Sequence, residues 1–242
     1  MIIDCFIFYN ELELLKKRLT YLSPVVDKFV IVESTVTFRG TPKELYFEKN
    51  RSTFSEWEDK IVHVVVGDNP TGENPWEREH FQRDCIKRGL KDFGDDAIVM
   101  ISDVDEIPKI KYITLPHESD ICSFNMVAFQ YSLDYVQELE PWFGTILTRK
   151  YILAHMSPQM LRDRRWTFPF YRNAGWHFSS FGDETFIANK IRHFSHCHDE
   201  SAKNKDESTF KMYIEQGLHT DGTYKLLKPS IETLENIPLE LR

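Results

Sequence analysis

The stretch AIVMISDVDEIP at residues 97–108 joins an apolar run to three carboxylates. A short continuous apolar run is typical of a central strand that is covered on both faces of a sheet. In such a strand the side chains of Asp103 and Asp105 project to the same side, and open α/β sheets bind ligands just beyond the carboxyl ends of their strands. Because crowded carboxylates are costly without a cation, we predict a site for Mg²⁺ or Mn²⁺ and a diphosphate here. The alternative is a solvated acidic turn in which Asp105 caps a helix.

Apolar, β-branched runs alternate with segments of helical periodicity around this stretch. The pattern is typical of an α/β fold with a mostly parallel central sheet flanked by helices. Strands are predicted at 2–9, 29–32, 61–66, 97–101, 121–132 and 145–148. Helices are predicted at 11–22, 42–50, 76–93, 157–165 and 183–193.

The charge balance and the apolar runs exclude several classes of protein. The 30 Lys and Arg residues against 38 Asp and Glu residues give a net charge of −8, which disfavours binding of nucleic acid through phosphate neutralisation. No run approaches the roughly 20 apolar residues of a membrane span, and the first residues lack a signal-peptide pattern. The four cysteines show no paired spacing, which favours a reducing compartment. We therefore expect a soluble, cytoplasmic protein with no membrane span and no nucleic-acid partner.

Several motifs in a fixed order surround the D-x-D stretch. They are IIDCFIFYNELELLKKRL at 2–19, WEREHFQRDCIKRGL at 76–90, AGWHFSSFG at 174–182 and FSH at 194–196. Together with SDVDEIP they resemble glycosyltransferase family 17, which includes the β-1,4-N-acetylglucosaminyltransferase that adds bisecting GlcNAc. The resemblance runs from the first strand to about residue 200 and so covers most of the chain.

The resemblance implies a single, Rossmann-like GT-A domain over residues 1–242. Residues 1–105 are expected to form the nucleotide-sugar half, residues 106–219 the acceptor and catalytic half, and residues 220–242 a tail that wraps the surface. The expected reaction is a metal-dependent transfer of a sugar, GlcNAc from UDP-GlcNAc, to a glycan hydroxyl with inversion to a β linkage. Animal members have a membrane anchor that this chain does not show, so it resembles a soluble bacterial or viral type, located in the host cytoplasm if viral.

Carried over to this sequence, the resemblance makes Asp105 a direct ligand of a Mn²⁺ or Mg²⁺ ion. Asp103 is expected to contact the metal through water, or the ribose and sugar of the donor. His196 in the FSH motif is the expected third ligand, with His198 as its competitor. The spacing of the histidines at 193–198 fits no common zinc site.

Other residues are expected to contact the donor. Glu33, at the end of the second strand, would lie near the nucleoside, although it could be a surface carboxylate. Arg39 and Lys43 could bind phosphates or could be solvated loop charges. Arg83 is the leading cation for the diphosphate because a guanidinium can bind phosphate through two hydrogen bonds, and Arg78 is the second candidate. Both arginines could instead lie on a solvated helix face.

An inverting transfer also needs a base that takes the proton from the acceptor hydroxyl. Glu184 and Asp183, at a predicted helix start, are the candidates for the catalytic base. Acidic residues are favoured in the first turn of any helix by its dipole, so a purely structural role is the alternative. Trp176 is either one wall of the sugar site or part of the core.

Two other functions compete with this hypothesis. A sugar nucleotidyltransferase also uses carboxylates and Mg²⁺ on an α/β sheet, but it needs a glycine-rich phosphate loop after its first strand, where residues 9–13 read YNELE. A catalytically inactive glycan-binding module would use the aromatic side chains alone. The sequence specifies neither the acceptor nor an oligomeric state.

Overall fold

The computed structural model describes residues 1–137, 142–193 and 205–242. The strands in this part of the chain are β1 (Ile2–Phe8), β2 (Lys28–Ser34), β3 (Ile61–Val66), β4 (Ile98–Asp103), β5 (Glu106–Pro108), β6 (Ile121–Gln130), β7 (Trp142–Arg149), β8 (Phe170–Tyr171) and β9 (Gly175–Ser179). They form a sheet in the order β3-β2-β1-β4-β7-β6-β9-β5, and β8 pairs with β6. The strands β1 to β4 pair in parallel, whereas β7 is antiparallel to both β4 and β6. The predicted α/β architecture is confirmed, with its parallel part confined mainly to β1–β4.

The parallel register brings the carboxyl ends of three strands to one edge of the sheet. Ile7 of β1 lies beside Asp103 of β4, and Phe8 of β1 lies beside Glu33 of β2. The D-x-D stretch begins at the end of β4, at these carboxyl ends. Strand β4 pairs in parallel with β1 on one side and antiparallel with β7 on the other. Open α/β sheets form their ligand sites at such positions.

Helices pack on both faces of the sheet. They are α1 (Leu12–Leu22), α2 (Tyr46–Lys49), α3 (Pro75–Asp84), α4 (Ile86–Gly89), α5 (Pro158–Asp163), α6 (Glu184–His193), α7 (Glu207–Gln216) and α8 (Ile231–Glu235). Strand β1 sends Phe6 and Phe8 into the apolar cluster that includes α1, and Ile3 and Cys5 into the cluster on the other face. Both faces of β1 are therefore buried, as its apolar sequence requires.

The predicted helix at 42–50 is wrong in its first half. Residues 41–43 pair with the segment that follows β2: Lys43 N donates to Thr35 O at 3.0 Å, and Val36 forms a bridge with Pro42. These backbone bonds are incompatible with a helix that opens at Pro42, so α2 begins only at Tyr46.

The other predicted helices lie close to their expected positions. The side chain of Asn74 caps α3, and the Ser157 side chain caps α5 as its sequence indicates. The predicted helix at 76–93 is broken at Cys85, and α4 follows. Gly89 lies so close to β2 that a Cβ there would be 2.4 Å from Val30 Cγ1. Among the described residues, no helix has both the length and the apolar character needed to cross a membrane.

Arg18 of α1 is fully buried beneath the D-x-D stretch. Its guanidinium donates to both carboxylate oxygens of Asp4 in β1, at 2.7 and 2.8 Å. It also donates to Ser102 Oγ at 2.6 Å and to three backbone carbonyls within residues 103–106, at 2.7 to 3.2 Å. Because the Asp4 side chain is also fully buried, this pair holds the turn in place from inside the core.

Replacing Arg18 with Met should lower the free energy of unfolding by about 3–5 kcal/mol, because the change leaves Asp4 as an uncompensated buried charge. Denaturant titration followed by circular dichroism measures the loss. The double variant Arg18→Met/Asp4→Leu should recover part of it, since no buried charge remains.

Arg51→Met is the matched control, because Arg51 pairs with Glu48 and Glu58 at the surface. Its loss should not exceed about 1 kcal/mol. An Arg18→Met variant that loses no more than this control would contradict the anchoring role of Arg18.

Candidate functional site

A cavity of about 500 Å³ opens at the carboxyl ends of β1 and β4. Tyr9 beyond β1, Asp103 and Asp105 at the end of β4, His177 of β9 and Lys190 of α6 contribute to its wall. The segments 36–38 and 219–221 add further lining residues. The cavity therefore lies at the sheet edge where the sequence predicts the diphosphate.

Asp103 lies in the cavity wall with both carboxylate oxygens engaged. Oδ1 accepts a hydrogen bond from Arg83 and Oδ2 accepts one from Arg162, each at 2.9 Å. Burial raises the pKa of Asp103, but the two guanidinium groups outweigh burial and hold the pKa below its usual value. The protein thus balances the charge of Asp103 itself, while 28% of the side chain remains exposed.

Glu106, the third carboxylate of the stretch, is fully buried. Arg162 binds it through two hydrogen bonds of 2.6 and 2.8 Å, and Trp142 Nε1 donates to it at 2.8 Å. Burial disfavours the charged form of Arg162, but Glu106 and Asp103 raise the pKa of its guanidinium above the usual value. Glu106 therefore fixes the arginine that orients Asp103.

The carboxylate of Asp105 contacts two basic side chains. Lys190 Nζ lies 3.3 Å from Oδ2, and His177 Nε2 lies 3.6 Å from Oδ1. Burial raises the pKa of Asp105, but Lys190 and His177 together lower it well below its usual value. Asp105 is therefore ionised at neutral pH and can bind a cation.

His177 is placed to share a metal ion with Asp105. Its ring stacks on Trp142, with the ring centroids 4.1 Å apart, and its buried Nδ1 has no hydrogen-bond partner in the described part of the chain. The 3.6 Å between Nε2 and Asp105 Oδ1 is less than twice a metal–ligand bond of about 2.1 Å. Both atoms can therefore reach one divalent ion.

A complete set of ligands does not come together within residues 1–137, 142–193 and 205–242. In these ranges no group of three His, Cys, Asp or Glu side chains could surround one ion. The predicted ligand His196 and its competitor His198 lie outside the described residues. Asp103, whose two oxygens face arginines, is less suited to direct metal binding than Asp105.

Arg83 does not lie in the cavity wall, because it is committed to partners inside the protein. It is 2% exposed and binds Glu79 and Asp103, each at 2.9 Å, as well as the side chain of Gln159. Neither predicted role, a phosphate ligand or a solvated charge, matches this position. Arg83 instead orients the first carboxylate of the D-x-D.

Arg78 and Arg39 also lie outside the cavity wall. Arg78 is buried and donates to the carbonyl of Phe38 at 2.5 Å and to that of Gly72, which holds together two loops beside the cavity. Arg39 is exposed and donates to the carbonyl of Arg192 at 3.3 Å. Arg78 thus has loop contacts inside the protein, whereas the exposed Arg39 fits the alternative of a solvated loop charge.

Glu33 is neither a cavity residue nor a surface carboxylate. It is fully buried at the end of β2, where Oε1 accepts from Phe47 N at 3.1 Å and Oε2 lies 3.1 Å from His63 Nε2. Lys43 Nζ lies 3.6 Å from Oε1 and does line the cavity. Glu33 is therefore linked to the cavity through its ion pair with Lys43.

Trp176 is part of the core and not a wall of the sugar site, which was one of the two alternatives for this residue. It is 2% exposed and packs edge to face on Tyr21, with ring centroids 5.9 Å apart. Asp183 caps α6 by accepting a hydrogen bond from Phe186 N at 2.8 Å. Neither Asp183 nor Glu184 lines the 500 Å³ cavity.

Sequence reasoning assigned no individual site role to Lys190, His177 or Arg162, and it placed Glu106 only in the group of three carboxylates that calls for a cation. His177 stands inside the motif AGWHFSSFG, which was a usable signal. Lys190 gave no such signal, because a single basic residue on a short helix is usually solvated, and the role of Arg162 inside the protein could not be predicted from its segment. Their partners are also remote in sequence: 85 residues separate Lys190 from Asp105, and 56 separate Arg162 from Glu106.

The sequence of this chain matches a known protein family. The profile of glycosyltransferase family 17 matches residues 1–220. The β-1,4-mannosyl-glycoprotein 4-β-N-acetylglucosaminyltransferases of Homo sapiens and Rattus norvegicus are each 32% identical to this chain over 108 residues. Each match takes in 41% of this chain and 20% of the relative, so it spans about a fifth of the length of those proteins.

Two solved structures are similar to this chain at low identity. The catalytic domain of Drosophila β1,4-galactosyltransferase 7 in complex with xylobiose has a TM-score of 0.37 and 14% identity, over 85% of this chain and 74% of that one. The galactosyltransferase LgtC in complex with donor and acceptor sugar analogs has a TM-score of 0.37 and 11% identity, over 86% and 83%. The family profile, in contrast, takes in most of the chain, and this protein belongs to glycosyltransferase family 17.

Proposed function

We propose that this glycosyltransferase moves GlcNAc from UDP-GlcNAc to a hydroxyl of a glycan or glycosylated acceptor, with a divalent metal ion and with inversion of the anomeric configuration. The main support is the ionised Asp105, which faces a 500 Å³ cavity at the carboxyl edge of the sheet with His177 beside it. The names of the relatives support GlcNAc as the sugar. This edge of the sheet also suits the GT-A arrangement that the D-x-D implies.

Asp105 and His177 would hold the metal ion, and His196 remains the predicted third ligand. When bound, a Mn²⁺ or Mg²⁺ ion supplies Lewis-acid stabilisation of the departing diphosphate. Asp103 keeps lone pairs free although Arg83 and Arg162 occupy one position on each oxygen. We assign it hydrogen bonds from hydroxyl groups of the donor.

Glu184 is the proposed base, and Asp183 is the second candidate. Inversion requires a group that takes the acceptor proton on the face opposite the nucleotide, and therefore outside the pocket of the diphosphate. Glu184 comes first because the Asp183 carboxylate already caps α6.

Purified protein with Mn²⁺ should release UDP from UDP-GlcNAc faster than from UDP-glucose or UDP-galactose, and a glycan array with labelled donor should identify the acceptor. A luminescent UDP assay and mass spectrometry of the product measure the two steps. Binding of no nucleotide sugar at all would contradict the proposal, and donor binding with no transfer on any array would favour the inactive glycan-binding module.

Asp105→Ala and His177→Phe should each weaken Mn²⁺ binding, by roughly 100-fold and 10-fold, because each removes one ligand. Phe at 177 retains a ring that can stack on Trp142. Electron paramagnetic resonance of free Mn²⁺ measures the affinity without any need for turnover.

The controls for metal binding are Asp68→Ala and His155→Ala, since Asp68 pairs with Arg88 at the surface and His155 is exposed. Both should bind Mn²⁺ like the unmodified protein. If His177→Phe binds Mn²⁺ with unchanged affinity, His177 is not a metal ligand. If Asp105→Ala binds Mn²⁺ with unchanged affinity, the proposed metal site is wrong.

Glu184→Gln should lower kcat for transfer by roughly 10² to 10⁴-fold and leave UDP-GlcNAc affinity within about twofold, because it removes only the base. Asp183→Asn is the matched variant, and it should retain most of its kcat because an amide oxygen can still cap α6. Steady-state kinetics and donor titration give the two quantities. If Asp183→Asn shows the larger loss of kcat, the base is Asp183.

A further inference from the structure

The cavity wall carries more carboxylates than cations. In the described part of the chain its carboxylates are Glu11, Glu79, Asp103, Asp105 and Asp221, and its lysines are Lys43 and Lys190. A diphosphate brings further negative charge to this wall. Besides the metal ion of the proposed function, cationic side chains that are free to turn toward the diphosphate would therefore favour its binding.

The arginines near the D-x-D cannot serve this purpose. Arg83 and Arg162 are 2% and 6% exposed, and they bind carboxylates inside the protein. Turning either guanidinium toward a ligand would leave Glu79 or Glu106 as a buried charge without compensation, which is costly. The two lysines of the wall are the remaining candidates.

The two lysines differ in how firmly the protein holds them. Lys43 Nζ donates to the carbonyl of Glu44 at 3.1 Å and lies 3.6 Å from the buried Glu33. It is also 5.2 and 5.4 Å from the ring centroids of Tyr9 and Tyr46. Lys190 Nζ makes a hydrogen bond of 3.3 Å to Asp105 and lies 3.9 Å from Glu11, beyond hydrogen-bonding distance. An ammonium group has three donors, so Lys190 keeps donors for a ligand beside Asp105.

The helix that carries Lys190 is anchored on its other side. Ile187 and Ala188 are 0% and 1% exposed and pack in an apolar cluster with Phe210 of α7 and Tyr131. The backbone of α6 is therefore fixed against the cavity, while the flexible lysine side chain can exchange one oxygen partner for another.

We propose that Lys190 binds the diphosphate of the donor and stabilises it as the leaving group, an inference that rests on the proposed function. In the transfer, the bond between the anomeric carbon and the β-phosphate oxygen breaks and its electron pair stays on that oxygen. The acceptor oxygen bonds to the anomeric carbon and its proton goes to the base. Lys190 donates a hydrogen bond to the oxygen that gains charge and keeps its own proton.

Isothermal titration of Lys190→Met with UDP, UMP and inorganic pyrophosphate tests this role, in EDTA and again with Mn²⁺. UDP and pyrophosphate should bind at least roughly tenfold more weakly than to the unmodified protein, whereas UMP should change by no more than about twofold, because it lacks the β-phosphate. Lys190→Arg should retain most of the affinity. In turnover assays Lys190→Met should lower kcat more than it raises KM, since charge on the leaving group grows in the transition state.

Lys109→Met is the matched control, because Lys109 is also partly buried but lies over Trp176 outside the 500 Å³ cavity. It should bind all three probes like the unmodified protein. If Lys190→Met is folded by circular dichroism and binds UDP and pyrophosphate with unchanged affinity, the inference is overturned and Lys190 is only an ion-pair partner of Asp105.

The same titrations separate this inference from the proposed function. An unmodified protein that binds pyrophosphate through Lys190 but no uridine nucleotide would overturn the proposed donor and support the role of Lys190. An unmodified protein that binds UDP as tightly as Lys190→Met does would overturn only the role of Lys190. Absence of binding to both UDP and pyrophosphate would overturn the inference together with the proposed donor.

Discussion

The buried ion pair between Arg18 and Asp4 is the constraint on which the site depends. It joins α1 to β1 and, through Ser102 Oγ and three backbone carbonyls, holds the turn that follows β4. A buried guanidinium is stable only when its donors are satisfied, so the turn and the ion pair require each other. The buried contacts of Arg18 therefore help to determine the positions of Asp103 and Asp105.

A second level of organisation is the balance of charge around the D-x-D. Three basic residues from three helices meet its carboxylates: Arg83 from α3, Arg162 from α5 and Lys190 from α6. The two arginines are held by further buried carboxylates, whereas Lys190 and His177 each contact a single carboxylate oxygen of Asp105. The surroundings of Asp103 are therefore fixed by the protein. The surroundings of Asp105 can exchange a protein partner for a metal ion or a phosphate.

The sequence correctly predicted the strand before the D-x-D, because a short continuous apolar run is typical of a strand buried on both faces. It also located the end of the sheet at which the cavity lies. The sequence was less informative about the partners of the basic side chains. Arg83 was expected at a phosphate and lies against Asp103, while Lys190 was overlooked. A charged residue on a helix has the same local pattern whether it faces solvent, a ligand or a buried carboxylate, so only its partners distinguish these cases.

By itself, the sequence determined the α/β alternation, the helix caps at Asn74 and Ser157, and the position of the D-x-D at the end of a buried strand. These features depend on periodicity and on contacts within a few residues. Tertiary structure alone decided that Glu33 and Trp176 are buried, that residues 41–43 pair beside β2, and that His177 and Lys190 reach Asp105. The physical reason is that burial and ion pairing depend on which segments distant in sequence come into contact. The pairing of the strands in the sheet determines those contacts.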